Sequence, residues 1–294
     1  MEVLGERPNA PQATGRARPR AAEVVQPRSS LYACAMPVRG RRAAPSPATT
    51  PVFILIRDRL TPLLELVGWL ERTGFERIHL LDNDSAYKPL LEYLAVTPHD
   101  VVRLGRNVGK HALWLDPRLG RIAGRRPLVY TDPDVVPVPE CPPDALDRFV
   151  DLLSRHRDVT KVGFGLRIDD LPDHYRFKED VLAWERQFWA DELEVEPGVY
   201  RAPIDTTFAL YRRWIPRPPP IDALRTGFPY VAQHTTWYID SAAPPEEERF
   251  YEARLARGTD DSPGTSSWTG ERLPEGLVRS IARLRGTQNE HPPP

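Results

Sequence analysis

Cysteine is nearly absent from this sequence of 294 residues. Only Cys34 and Cys141 occur, and nothing around them resembles a zinc site or the cysteine-rich framework of a small secreted domain. We therefore expect both to be free thiols in a reducing compartment.

Long apolar runs are also lacking. No stretch reaches the ~18 residues that a membrane helix needs, and the N-terminus carries no apolar segment of the signal-peptide kind. Lysine and arginine number 40 and the acidic residues 41, giving a net charge of −1, so no whole-chain attraction to nucleic acid or anionic membrane is implied. These absences predict a cytoplasmic protein with no transmembrane segment and no nucleic-acid partner.

Proline, by contrast, is abundant. The 33 prolines gather in the first fifty residues, around 216–220 and at the end of the chain. Residues 1–50, rich in Pro, Arg, Ala and Ser without helix or strand periodicity, are predicted to be a disordered tail. A docking arm for acidic partners is the alternative, and Met36 is a second candidate start. We expect one domain over 51–256 and a loose segment with a short helix over 257–294.

The ordered region opens on a repeating strand–helix pattern. An apolar strand is predicted at 52–56, followed by a helix with Thr61 as its cap, Pro62 in its first turn and Gly74 as its stop. Further strands are predicted at 77–84, 100–105, 127–130, 161–170 and 206–213, and further helices over 88–96, 143–156, 178–193 and 275–285.

Strands and helices that alternate at this spacing indicate parallel βαβ units. The first strands are apolar without alternation, which is expected when helices cover both faces of a sheet. Ligands bind such sheets beyond the carboxyl ends of the strands. The first four strands all end in polar residues that should share one rim: Arg57-Asp58, Asp82-Asn83-Asp84, Gly105-Arg106-Asn107 and Asp132-Pro133-Asp134.

The stretch "PLVYTDPDVVPVP" at 127–139 places two carboxylates where a buried strand ends. Residues i and i+2 of an extended chain share a face, and Pro133 restrains both itself and Asp132. Two hard oxygen donors so placed suit Mg²⁺ or Mn²⁺, an ion that also takes phosphate oxygens from a substrate. The plainer interpretation is a proline turn with two surface aspartates.

Several motifs in order resemble a known family. They are "ILIRDRLTPLLELVGWLERTGFERIHLLDNDS", "LGRNVGKHALW", "YTDPDVVP", "GFGLRIDDLPDHY", "IDTTFALYRR" and "HTTWYID". Over about residues 51–251 the chain resembles the GT-A glycosyltransferases, and among them the bacterial enzymes related to glycosyltransferase family 2. The resemblance implies a Rossmann-like α/β domain with a mostly parallel central sheet flanked by helices.

The resemblance also implies a site, residue by residue. Asp205 is the candidate base for the acceptor in inverting members, with the Glu179-Asp180 pair as the alternative. The remaining implied residues hold the nucleotide (Arg57, Asp82, Asn83, Asn107, Gly109 and Asp132) or the metal (Asp132, Asp134 and His234).

By the same resemblance, the cofactor is Mn²⁺ or Mg²⁺ and the donor is a UDP-, GDP- or dTDP-sugar. The acceptor is a carbohydrate, a lipid-linked molecule or a small molecule. Arg57 and Lys110 are the basic residues expected near the donor, and the cluster of Trp184, Phe188 and Trp189 is either core or a platform for a sugar ring.

Two other functions stay open. An apolar strand that ends in D-x-D also occurs in phosphatases of the haloacid-dehalogenase type, with Asp132 as nucleophile, Asp134 as acid/base, and Lys161 and Asp169-Asp170 as later motifs. That strand normally comes first in its domain, whereas here it is the fourth. The other possibility is a non-catalytic domain that binds a nucleotide or a partner.

Overall fold

The computed structural model describes residues 44–256, 268 and 272–290, which form a nine-stranded sheet flanked by helices. The strands are β1 (Val52–Ile56), β2 (Ile78–Asp82), β3 (Asp100–Arg103), β4 (Leu128–Thr131), β5 (Val135–Pro137), β6 (Lys161–Leu166), β7 (Val199–Arg201), β8 (Ala209–Tyr211) and β9 (Leu224–His234). The helices are α1 (Thr61–Arg72), α2 (Lys88–Val96), α3 (Ala112–Leu115), α4 (Pro117–Ala123), α5 (Ala145–Arg155), α6 (Lys178–Glu185), α7 (Glu246–Ala256) and α8 (Glu275–Glu290), with short 3₁₀ turns at Arg186–Trp189 and Thr235–Tyr238.

The sheet has a parallel half and a mixed half. Its order is β3-β2-β1-β4-β8-β6-β9-β5, with β7 paired to β9. The strands β3, β2, β1 and β4 run parallel, whereas β8 is antiparallel to both of its neighbours. The predicted α/β fold is therefore confirmed, and the carboxyl ends of the first four strands share one edge.

Apolar residues fill both faces of this sheet. Along β1, Val52, Ile54 and Ile56 belong to the larger core cluster, while Phe53 and Leu55 belong to the second cluster on the other face. All five are buried, which explains why the strand lacks apolar–polar alternation.

Helix α1 begins differently from the prediction. Its cap position is Leu60, Thr61 is the first helical residue, and no side chain within the helix supplies the cap. Instead the carboxylate of Glu247, on α7, accepts hydrogen bonds from the backbone N–H groups of Leu60 at 2.7 Å and Thr61 at 3.0 Å. Gly74 ends the helical segment as predicted, at φ +85°.

The two predicted terminal segments are only partly described. Of the predicted tail, residues 1–43 lie outside the described residues. The part that is described forms a turn before β1, in which the N–H groups of Thr49 and Thr50 donate to the carbonyl of Ser46. Residues 257–267 lie outside as well. None of the helices described is both long and apolar enough to cross a membrane.

Candidate active site

A cavity of about 670 Å³ opens beyond the carboxyl ends of the parallel strands. Its size is typical of small-molecule sites. Asp82 is not among its lining residues. The other predicted site residues all line it: Arg57, Asn83, Asn107, Gly109, Asp132, Asp134, Asp205 and His234.

The end of β1 is fixed by a buried aspartate. Asp58 is fully buried at φ +57°, and its carboxylate accepts from the N–H groups of Ala86 at 2.6 Å and Tyr87 at 2.9 Å and from Arg254 at 2.7 Å. A non-glycine residue in this backbone region is uncommon and is held by its surroundings. Asp58 therefore acts as an anchor that places Arg57 and Arg59 on the cavity wall.

Asparagines connect the end of β2 to the loop after β3. Asn83 donates to Asn107 Oδ1 at 2.7 Å and accepts from the N–H of Val108 at 2.7 Å. Asn107 Oδ1 also accepts from the N–H of Gly109 at 2.9 Å, and Gly109 takes φ +81°, which glycine adopts without strain. These contacts shape one wall of the cavity.

Asp82 is engaged elsewhere. Its carboxylate accepts from Arg103 at 2.8 Å and from the N–H of Ser85 at 2.9 Å. Because neither contact turns it toward the cavity, the structure does not bring Asp82 together with the other predicted nucleotide residues.

The Asp132-Pro133-Asp134 turn connects β4 to β5. Asp132 Oδ2 accepts from the hydroxyl of Thr206 at 2.5 Å, and Asp134 Oδ2 lies 3.3 Å from Arg59 Nη1. Burial, and next the negative charge of Asp134, raise the pKa of Asp132 to about 8. The charge of Asp134 thus disfavours the ionised form of Asp132.

His234 ends β9 directly opposite Val135. Its Nε2 lies 3.9 Å from Asp134 Oδ2. On the other side of the ring, Nδ1 is 2.6 Å from the hydroxyl of Thr236. The ring stacks on that of Trp237, with the two centroids 4.7 Å apart. Burial lowers the pKa of His234, which favours the neutral imidazole that metals bind.

A complete metal shell is not formed by protein side chains alone. Within the described residues, no three His, Cys, Asp or Glu side chains are grouped so that they could hold an ion. Asp134 and His234 converge, whereas Asp132 is turned to Thr206. Two converging ligands fit an ion whose remaining ligands are substrate oxygens and water.

The two candidate bases differ in position. Asp205 lines the cavity and pairs with Lys110 Nζ at 2.5 Å. Asp180, at the start of α6, pairs with Arg285 of α8 at 3.1 Å and does not line the cavity.

Three polar atoms of cavity residues have no hydrogen-bond partner in the described part of the chain. They are His111 Nδ1, Thr207 Oγ1 and Trp237 Nε1. All three atoms are buried beneath the cavity surface, so they are not exposed to a ligand in the cavity.

Several cavity residues were missed by sequence reasoning. Glu185 and Arg225 form a buried ion pair of 2.9 Å, and Arg225 lies over the ring of Phe188 at 4.2 Å. Arg59 lay two residues beyond Arg57 at the same strand end, a position that could have indicated it. No local signal marks Arg225, because β9 was not recognised. Glu185 lies on the predicted helix over 178–193, but the sequence does not distinguish it from the other acidic residues of that helix.

The residues that would support a phosphatase do not assemble. Lys161 is buried and donates to the carbonyl of Ile204 at 2.5 Å. Asp169 pairs with Arg167 at 2.9 Å, and neither Lys161 nor the Asp169-Asp170 pair lines the cavity. The structure therefore does not favour the phosphatase interpretation.

Comparison with known proteins gives a likeness of fold. No family model and no curated protein matches the sequence. Among solved structures, a mannosyltransferase from Pyrobaculum calidifontis in complex with GDP-Man and Mn²⁺ matches over 86% of this chain and 79% of its own, at 13% identity and a TM-score of 0.41. Glucosyl-3-phosphoglycerate synthase from Mycobacterium tuberculosis, in complex with phosphoglyceric acid, matches over 56% and 58%, at 16% identity and a TM-score of 0.33. At such identities and scores, neither match assigns a substrate to this chain.

Proposed function

We propose that this protein is a metal-dependent glycosyltransferase that moves a sugar from a nucleotide-sugar donor to a hydroxyl group of an acceptor. The observation that carries the proposal is the convergence of Asp134 and His234 in a ligand-sized cavity that is also lined by Asp132 and Asp205. A carboxylate pair for a cation and a separate carboxylate for a proton are what such a reaction needs.

The donor end is built from the rim of the parallel strands. Arg57 and Arg59 supply positive charge to the cavity wall, and Asn107 with Gly109 shapes the side expected to hold the nucleotide. Asp134 and His234 would hold Mn²⁺ or Mg²⁺ together with the donor's diphosphate. Such an ion neutralises the charge that grows on the diphosphate as the sugar leaves.

The acceptor end lies around Asp205. Its carboxylate would take the proton of the acceptor hydroxyl, and His111 and Thr207 line the same cavity. Trp184 and Phe188 also line the cavity, and an aromatic wall suits the apolar face of a sugar. A carbohydrate, a lipid-linked molecule or a small hydroxylated molecule fits this description.

The test is a screen of nucleotide sugars with Mn²⁺ and with a chelator, in which release of the nucleoside diphosphate is measured for UDP-, GDP- and dTDP-sugars. We expect release from at least one donor with Mn²⁺ and none with the chelator. Release of inorganic phosphate alone would instead indicate a phosphatase. Binding without turnover of any donor, with acceptors supplied, would indicate a non-catalytic domain.

Substitution of the metal ligands sharpens this test. Asp134→Ala should abolish turnover and should weaken nucleotide binding only when Mn²⁺ is present. A metal contributes several kcal/mol of transition-state stabilisation, on the order of 10³-fold in rate. His234→Ala should have a milder effect, since water can replace one neutral ligand. Full activity of Asp134→Ala, measured in chelator and in Mn²⁺, would mean that the aspartates form only a proline turn.

A further inference from the structure

Arg59 and His234 approach the same atom. Arg59 Nη1 lies 3.3 Å from Asp134 Oδ2, and His234 Nε2 lies 3.9 Å from that oxygen. Asp134 is only 4% exposed, so solvent does little to screen the contact. A guanidinium group therefore already occupies part of the space in which a cation would meet both proposed ligands.

Helix α7 holds this guanidinium in place. Glu248 accepts from Arg59 Nε at 2.9 Å and from Nη2 at 2.8 Å, a two-point contact that fixes the plane of the group. The ring of Tyr251 lies 4.0 Å from the guanidinium carbon, and Glu248 is 2% exposed. With Nε and Nη2 engaged by Glu248, Nη1 is the group left to face Asp134.

In this arrangement the Arg59 guanidinium and a divalent ion would compete for the same carboxylate. The arginine side chain stays charged in proteins, so a divalent ion placed between Asp134 and His234 would be repelled by it at short range. The ion would also need the oxygen with which Arg59 is paired.

We propose that Arg59 is a resident cation that competes with the divalent ion for Asp134. The inference rests on the proposed function. In the empty site Arg59 neutralises Asp134, and the ion alone is held weakly. When the donor brings its diphosphate, added negative charge and oxygen ligands favour the ion, and Arg59 gives up the oxygen. Metal and nucleotide therefore bind together more tightly than either binds alone.

The experiment is a calorimetric titration of Mn²⁺ into the full chain without nucleotide. Arg59→Met should tighten Mn²⁺ binding at least about tenfold, the factor that ~1.4 kcal/mol represents, because the competing cation is removed. Lys110→Met is the matched control. It also removes a positive charge from the cavity, but its partner is Asp205, so its effect on Mn²⁺ affinity should be much smaller.

A second pair of variants keeps Arg59 itself unchanged. Glu248→Gln removes the anion that shares Arg59 and should strengthen the pairing of Arg59 with Asp134, so Mn²⁺ should bind more weakly than to Glu247→Gln. Glu247 is the neighbouring carboxylate, and it bonds backbone N–H groups instead of Arg59. Equal or tighter binding to Glu248→Gln would overturn the proposal, even if Arg59→Met failed to fold.

The proposal would likewise be overturned if folded Arg59→Met bound Mn²⁺ no more tightly than the wild type. It would also be overturned if Lys110→Met tightened Mn²⁺ binding as much as Arg59→Met does. Titrations of UDP, GDP and dTDP distinguish this failure from that of the proposed function. If a nucleotide binds while Arg59→Met behaves like the wild type, only the competition is wrong. If no nucleotide binds with or without Mn²⁺, the proposed function fails as well.

Discussion

Asp205, the predicted base, and Asp180, its alternative, differ in their position in the structure. Asp205 faces the cavity beside Lys110, and Asp180 pairs with Arg285 away from it. Asp205→Asn should lower turnover by about 10²–10⁴-fold, the usual contribution of a general base, while donor binding survives.

The matched control is Asp180→Asn, which should retain nearly full turnover. Both variants are assayed for turnover with Mn²⁺ and a donor, and for nucleotide affinity by titration. If Asp180→Asn loses turnover and Asp205→Asn does not, the base is Asp180.

Lys161 provides a pH-dependent prediction at a single residue. It is 1% exposed, and burial lowers its pKa from 10.5 to about 8. Between these two values the unfolded chain binds more protons than the folded one, so stability rises with pH in that window. The gain is up to roughly 3 kcal/mol, at 1.36 kcal/mol per pH unit.

Urea unfolding at several pH values between about 7.5 and 10 measures this gain. The free energy of unfolding of the wild type minus that of Lys161→Met should increase with pH, because the variant lacks the titrating group. The hydrogen bond to Ile204 that the variant also loses adds an offset but little slope. Parallel stability curves would show that Lys161 keeps an ordinary pKa.

At the scale of elements, helix α7 caps the start of helix α1, which lies far from it in sequence. Glu247 accepts from the N–H groups of Leu60 and Thr61 at the start of α1. Loss of a helix cap costs about 0.5–2 kcal/mol. Glu247→Ala should therefore lower the free energy of unfolding by about 1 kcal/mol.

Glu246→Ala serves as its control, because Glu246 is the exposed neighbour on the same helix. Chemical denaturation compares the two. If they are equally stable, α7 does not cap α1 in solution.

At the scale of the whole molecule, the site joins segments that are distant along the chain. The cavity is lined by residues from β1, the β4–β5 turn, the end of β9 and α7. A ligand that bridges these segments should stabilise the domain as a unit. At about 100 times its Kd, a nucleoside diphosphate with Mn²⁺ adds ~2.7 kcal/mol, or about 5–10 °C in Tm for a domain of this size.

Thermal unfolding with UDP, GDP or dTDP tests this, each with Mn²⁺ and with a chelator. We expect a rise for at least one nucleotide with Mn²⁺ and a smaller rise in chelator. In Asp134→Ala the two conditions should give the same Tm. A rise in that variant that still depends on Mn²⁺ would place the metal elsewhere.

The sequence by itself determined the parallel half of the sheet and its polar rim. Strands at 52–56 and 127–130, and the helix that ends before Gly74, follow from local signals: apolar runs, a proline in a first turn and a glycine stop. The rim then follows from the rule that parallel strands end at one edge. For this reason Arg57, Asn107 and the two aspartates of the turn could be placed near one another.

Only the tertiary structure decided what surrounds Asp134. Arg59 and Glu248 meet although they are 189 residues apart, and His234 reaches the turn because β9 pairs with β5. Asp82 is turned away by Arg103, which neither its own position nor its neighbours reveal. Local sequence encodes backbone preference and burial, whereas the pairing of charged side chains depends on how distant segments pack. The charge that faces a predicted ligand is therefore fixed only by the complete fold.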